Sequence, residues 1–179
     1  MNIAVLVKLV PDTEATLRID ESRQRVSTGD INFVLNPYDE FAIEEALRIK
    51  EKFGAQVTLF SLGGEEAVKA LRQGLAMGAD EAVHILPSGK CDMLGVAKGI
   101  AEALKEGDWD IIWAGKQAVD DDCSAIGSMV AELLGIPHVS TVVKWELTDG
   151  KAIAHREVEG GLEIIECPLP ALFTAQKGL

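Results

Sequence analysis

The chain has 179 residues, 47% of them hydrophobic and only 5% aromatic, enough for one domain with a largely aliphatic core. With 17 basic residues against 29 acidic ones, the net charge is −12. That sign argues against a nucleic-acid partner or docking on anionic lipid, both of which need clusters of Lys and Arg, and fits a protein that meets a basic partner surface.

The N-terminus, "MNIAVLVKLVPD", is apolar but short, and Lys8 interrupts it, so it reads as a buried first strand rather than a signal peptide. Ile3–Val7 is a continuous apolar run, as expected for a central parallel strand covered on both faces. Thr16–Thr28 alternates weakly around polar turns and is expected to form a small hairpin. Asn36-Pro37 then breaks the chain, and Ala42, Ile43, Ala46, Leu47 and Phe53 line one stripe at helical spacing, with Gly54 placed to end the helix. Glu44 and Glu45, spaced to meet Arg48 and Lys52, read as a solvated face.

The alternation repeats. Val57–Phe60 reads as a strand, and Glu65–Met77 as a helix through Ala67, Leu71, Gly74 and Leu75 with Gly78 as its stop. Ala82–Leu86 is a third strand and Met93–Leu104 a third helix, with Ala97, Ile100, Ala101 and Leu104 on one face. Ile111–Ala114 is a fourth strand, followed by a helix over Ser124–Leu134 with Ile126, Met129, Val130, Leu133 and Leu134 inward. Strands alternating with helices imply βαβ units and a Rossmann-like, doubly wound, mostly parallel sheet. After Gly135 the pattern changes. Asp149-Gly150 and Gly160-Gly161 are tight-turn signals between β-type runs, so 136–170 is expected to be an antiparallel hairpin or meander. Ala171–Thr174 would return to the main sheet, and 1–179 reads as a single nucleotide-binding α/β domain. No run is long enough to span a bilayer.

In open α/β sheets ligands sit at the carboxyl ends of the strands. "KLVPD", "SLGGEE" and "GKQAVDDDCS" follow strands one, two and four, and "NPYD" opens the first helix at the same rim. Gly115 allows a close turn, and Ser124, Ala125 and Gly127 are small enough for a phosphate to approach helix N–H groups. A mononucleotide is therefore expected, with its phosphate at the fourth helix. The same residues also suit ordinary turn and capping chemistry, and on local pattern both readings stand. No G-x-G-x-x-G follows the first strand, and no G-x-x-x-x-G-K-[ST] or G-x-S-x-G occurs. Three consecutive aspartates beside a phosphate would repel it. One is expected to cap the helix and the others to face ribose or solvent; if all three pointed inward, a cation would have to intervene or the phosphate would be absent.

His84, His138 and His155 lie far apart on different elements, which favours structural or solvated roles over metal binding or catalysis. Cys91, Cys123 and Cys167 form neither a disulfide framework nor a zinc pattern, so a reducing compartment is expected. Cys123, at the expected helix start, is placed where a thiol pKa can fall, although a small residue near a cap is the plainer reading.

Taken in order, "NPYDEFAIEEALRIKEK", "ALRQGLAMGADEAVHI", "GKQAVDDDC" and "REVEGGLEIIECPLPALFTA" resemble the β subunit of electron transfer flavoprotein over essentially the whole chain. The resemblance implies a non-catalytic electron-carrier subunit, paired with an α subunit that holds most of one FAD. That pair passes electrons from acyl-CoA and related dehydrogenases towards a membrane-bound quinone oxidoreductase. It implies a structural AMP in the β subunit, replaced by a second FAD in electron-bifurcating members. Carried over by position, the AMP contacts would come from Leu6, from Asn36, Pro37, Tyr38 and Asp39, and from Leu62. The remainder would come from Gly115, Lys116, Gln117, Ala118, Val119, Asp120, Asp121, Asp122, Cys123, Ser124, Ala125 and Ile126.

"VDDDCS" and "EVEGGLE" resemble the AMP-binding branch, whereas bifurcating members tend to carry Asp-Gly-Asp and lack the Gly-Gly hairpin. Two departures stand out. Ser124, Ala125 and Ile126 occupy places where the family often has Asn or Gln and Thr, so phosphate binding would lean on backbone N–H groups and Ser124. The family also continues past "TAQKGL" into a Pro-Arg-Tyr segment, a Lys-rich stretch and an arm that embraces the α subunit, so a shortened chain is expected. Leu179 matches the leucine that anchors the segment reaching dehydrogenase partners. The missing presequence favours a bacterial cytoplasm over a mitochondrial matrix. Two other classes stay open: a homodimeric, ATP-binding universal-stress-type regulator, and an ATP-splitting enzyme, for which "KLVPDTE" lacks a pyrophosphate loop.

Overall fold

In the computed structural model, which describes residues 1–24, 26, 27, 29 and 31–179, eight strands form one sheet. They are β1 (Asn2–Leu6), β4 (Gln56–Leu62), β5 (Glu81–Ile85), β6 (Ile111–Gly115), β7 (His138–Thr148), β8 (Lys151–Val158), β9 (Gly161–Pro168) and β10 (Ala171–Ala175). A separate two-stranded ribbon pairs β2 (Leu9–Pro11) with β3 (Phe33–Leu35) in antiparallel register. The order in the large sheet is β5-β4-β1-β6-β10-β7-β8-β9. The first six strands in that order run parallel, and the last two add on antiparallel.

The parallel part carries apolar side chains on both faces because helices cover both. Ile3 and Val5 point into one core with Ala42, Ile43 and Ala46 of α1 (Pro37–Phe53) and Ala70 and Leu71 of α2 (Val68–Met77). Ala4 and Leu6, alternating with them, point into a second core with Ala97, Ile100 and Leu104 of α3 (Met93–Leu104) and Val130 and Ala131 of α4 (Ile126–Leu134). Period-two alternation on β1 thus separates two helical layers, which is what doubly wound means physically.

Local chemistry sets the helix ends. Pro37 sits in the first turn of α1, where its missing N–H costs nothing. Gly54 ends the helix in the left-handed conformation, φ 69°, and its N–H bonds Lys50 O at 2.8 Å. Phe53, expected on the buried stripe, is instead exposed, because α1 is ending there and its last turn clears the sheet. Leu75 is likewise exposed, while Glu45, read as part of a solvated face, is buried and meets Arg48 at 3.4 Å. The helix expected from Glu65 opens with a 3₁₀ turn over Glu65–Ala67 before α2.

β7, β8 and β9 form the antiparallel meander expected over 136–170, turned at Asp149-Gly150, where φ is 51° and 77°, and again at Gly160. β10 then inserts between β6 and β7. Trp113, Trp145 and Phe173 on β6, β7 and β10 pack mutually, with ring centroids 5.3 to 6.2 Å apart, and tie the meander to the parallel sheet. Of the hairpin expected over Thr16–Thr28, the described residues contain one antiparallel bridge, Ile19 with Val26; Arg25 and Thr28 lie outside them. No helix among the described residues is long and apolar enough to cross a membrane.

Candidate functional site

The winding reverses between β1 and β6. From β1 the chain runs through α1 to β4 on one side, and from β6 through α4 to β7 on the other. A crevice opens where the two connections diverge. It holds a cavity of about 370 Å³, lined by the C-terminal ends of β1, β4 and β6, the loops after β1 and β6, the start of α1, and the N-terminal parts of α3 and α4.

Its frame is a polar clamp at the start of α1. Asp39 is buried and its carboxylate accepts three hydrogen bonds: Lys8 N–H at 2.7 Å, Asn36 Nδ2 at 2.9 Å and Gly115 N–H at 3.1 Å. Asn36 also donates to Gln117 O at 2.9 Å and accepts from Val119 N–H at 3.2 Å. Two side chains therefore join the loops after β1 and β6 to one helix terminus. Burial pushes Asp39 up to about 7, against the opposing pull of its donors. Gly115 is required by proximity: a Cβ there would collide with Asp39 Oδ1 and lie 2.8 Å from the Tyr38 backbone.

The loop after β6 leads into α4, which starts at Ile126 rather than at Ser124 as expected. Asp122 and Ser124 occupy the left-handed region, φ 50° and 51°, and Ala125 follows at φ −119°, ψ −26°. A left-handed residue next to a right-handed one turns successive N–H groups to the same side, which makes a concavity for anions. The first helical bond is Met129 N–H to Ala125 O at 3.0 Å, so the N–H groups of Ile126, Gly127 and Ser128 precede it without an intrahelical acceptor. The cap residue is Ala125, and no side chain caps this terminus, in contrast to α3, where Asp92 accepts from Gly95 N–H at 2.8 Å. The expected aspartate cap of α4 is thus corrected: Asp121 Oδ1 takes Cys123 N–H at 3.1 Å, two residues before the cap position.

The aspartates are held by a residue that sequence reasoning passed over. Lys8 Nζ lies 2.8 Å from Asp120 Oδ1 and 3.0 Å from Asp121 Oδ2. Asp122 turns the other way and accepts from Gln117 Nε2. Cys123 does not acquire an activated thiol; desolvation, then the Asp121 carboxylate, pushes it up. Of the carried-over residues, Leu6, Asn36, Asp39, Leu62, Gly115, Lys116, Gln117, Ala118, Asp121, Cys123, Ser124, Ala125 and Ile126 line the cavity. Pro37, Tyr38, Val119, Asp120 and Asp122 do not; the Tyr38 ring centre lies 5.2 Å from Nζ of the lining residue Lys116. The apolar wall from α3, Met93, Val96 and Ile100, carried no signal beyond helix periodicity. Leu179 packs, half-buried, against the core on the α1 side of the sheet. His84 Nε2 sits 3.1 and 3.0 Å from Gly63 O and Gly64 O, while His138 and His155 lie on β7 and β8.

An open, doubly wound sheet with its cavity at the reversal places the molecule among the Rossmann-like α/β proteins. Residues 25–179 match the model of the electron transfer flavoprotein domain. The chain is 42% identical, over its whole length, to an electron transfer flavoprotein subunit beta of Thermoanaerobacterium thermosaccharolyticum, covering 69% of that protein. It is 40% identical to the same subunit of Bacillus subtilis, again over its whole length, and 41% identical over 97% of its length to the mitochondrial subunit of Arabidopsis thaliana, covering 70% of each. The chain belongs to the electron transfer flavoprotein family, in its β-subunit branch, whose members work in electron transfer.

Proposed function

We propose that this β subunit pairs with an FAD-bearing α subunit and holds AMP in the crevice between β1 and β6 as a structural ligand. In this reading the phosphate rests on the N–H groups at Ser124–Gly127, and the adenine lies along Leu6, Leu62, Val96 and Ile100. The observation that carries it is the uncapped, nest-shaped entry to α4 facing an apolar-walled cavity. At about 370 Å³ the cavity lies near the small end of the ligand-site range, roughly 300–1,000 Å³, which suits a mononucleotide better than a full flavin dinucleotide. The subunit makes and breaks no bonds. FAD, when bound with the α subunit, supplies the group that accepts and gives up electrons. This chain contributes rigidity and a docking surface. Acyl-CoA and related dehydrogenases are the donors and a quinone oxidoreductase the acceptor, in a bacterial cytoplasm.

The test is to purify the protein co-expressed with its α partner, release bound small molecules by denaturation and identify them by mass. AMP at one equivalent, with one FAD, is expected. Two FAD per pair would instead make this a bifurcating member. ATP, or failure to co-purify with an α subunit, would overturn the reading.

A further inference from the structure

We infer that Lys8 is a positioning residue for phosphate binding: its ammonium, paired with Asp120 and Asp121, fixes those carboxylates beside the anion-binding turn and cancels one of their charges. This rests on the nucleotide reading above and adds a role for a residue that itself need not touch the ligand.

Lys8 is fixed at its backbone and free only in its side chain. Its N–H bonds Asp39 Oδ2 at 2.7 Å and its carbonyl accepts Asn36 N–H at 2.9 Å, so the Cα cannot drift from the mouth of the cavity. The side chain then crosses to the loop after β6 and meets two carboxylates at 2.8 and 3.0 Å. One of them, Asp121, also binds Cys123 N–H, the residue leading into the left-handed Ser124. Lys8 therefore grips the carboxylate that leads directly into the turn.

The charge count explains why the grip matters. Without Lys8 the two carboxylates would bring −2 to a turn proposed to receive a phosphate; with it the group carries −1. The other cation at the cavity, Lys116, is drawn over the Tyr38 ring, and Asp92 is committed to capping α3. The side chains of Lys8, Asp120 and Asp121 are 42%, 27% and 46% exposed, so the pairs contribute little to folding stability and the Lys8 variant should remain folded.

The experiment compares AMP with adenosine by calorimetry at low salt, on protein freed of bound nucleotide. Lys8→Gln is expected to weaken AMP about tenfold, the scale of one unit charge removed at partly screened range, while adenosine changes less than about threefold. Lys8→Gln combined with Asp120→Asn and Asp121→Asn should return AMP affinity to within about threefold of the unaltered protein, because the amides keep the loop's hydrogen bonds without charge. Equal loss of AMP and adenosine in the single variant would reduce Lys8 to a structural prop. A triple variant that fails to recover would mean Lys8 touches the phosphate directly. Either result overturns the inference while leaving the site intact. Failure of the unaltered protein to bind AMP overturns the nucleotide reading and the role of Lys8 with it.

Discussion

Asp39 shows how one buried carboxylate can be both a brace and a liability. Its three donors come from the cap residue of α1, from the loop after β1 and from the last residue of β6, so it fixes the geometry of the crevice. Its burial nevertheless raises its pKa from an ordinary value near 4 to about 7. The folded protein then binds a proton more tightly than the unfolded chain between those values. The stability from this group is complete below about pH 4 and is lost as pH climbs through 7, by up to about 1.4 kcal/mol per unit. Asp39→Asn removes the titration but turns an amide N–H towards existing donors, at a cost of about 1–3 kcal/mol. Urea melts at intervals from pH 5 to 8 should therefore show wild type losing its advantage over Asp39→Asn as pH rises. A constant difference would mean that the three donors keep Asp39 ionised throughout.

At the scale of elements, α4 is set against β10 by the absence of a side chain. A Cβ on Gly127 would lie 2.6 Å from Thr174 Cγ2 and 3.3 Å from Leu172 Cδ2. Thr174 cannot simply rotate away, because its Oγ1 accepts Thr141 N–H at 3.1 Å. Gly127→Ala is expected to destabilise by about 1–2 kcal/mol in chemical denaturation, the overpacking cost exceeding the helix-propensity gain of alanine. It should also weaken binding at the proposed AMP site by lifting the N–H groups from their place. A neutral or stabilised variant would show that α4 slides on the sheet freely. Elements of this kind were largely legible in the sequence, since periodicity marks a helix that faces a sheet and apolar runs mark strands covered on both sides. The ribbon of β2 and β3 was not, because three-residue strands carry too few positions to show alternation. The start of α4 was misplaced for a related reason: Ser124 looks like a helix-start residue, but its left-handed backbone belongs to the turn. Lys8 was invisible as a site residue because its partners lie more than 100 positions away, joined to it only by the parallel pairing of β1 and β6.

On the scale of the molecule, the sheet ends in an edge, β9, that the described residues leave partly uncovered. Along β9, Cys167 points inward, while Leu162 and Ile164 on the opposite face are 58% and 67% exposed. Large apolar side chains on an outer strand invite association, and monomeric proteins usually blunt such an edge with charge. Here Lys151–Glu166 and Arg156–Glu163 pairs flank the apolar residues without covering them. The α subunit that the family implies as a partner gives a reason to keep that surface. Replacing Leu162 and Ile164 together with glutamate should change the melting temperature little, because exposed positions make few contacts to lose. It should, however, abolish or sharply reduce co-purification with the proposed α subunit, and with it the recovery of the FAD proposed to be shared by the pair. Full retention of the pair at wild-type stoichiometry would move the contact away from β9, and the exposed apolar residues in the segment between β2 and β3, Leu17 and Ile19, would become the next surface to test.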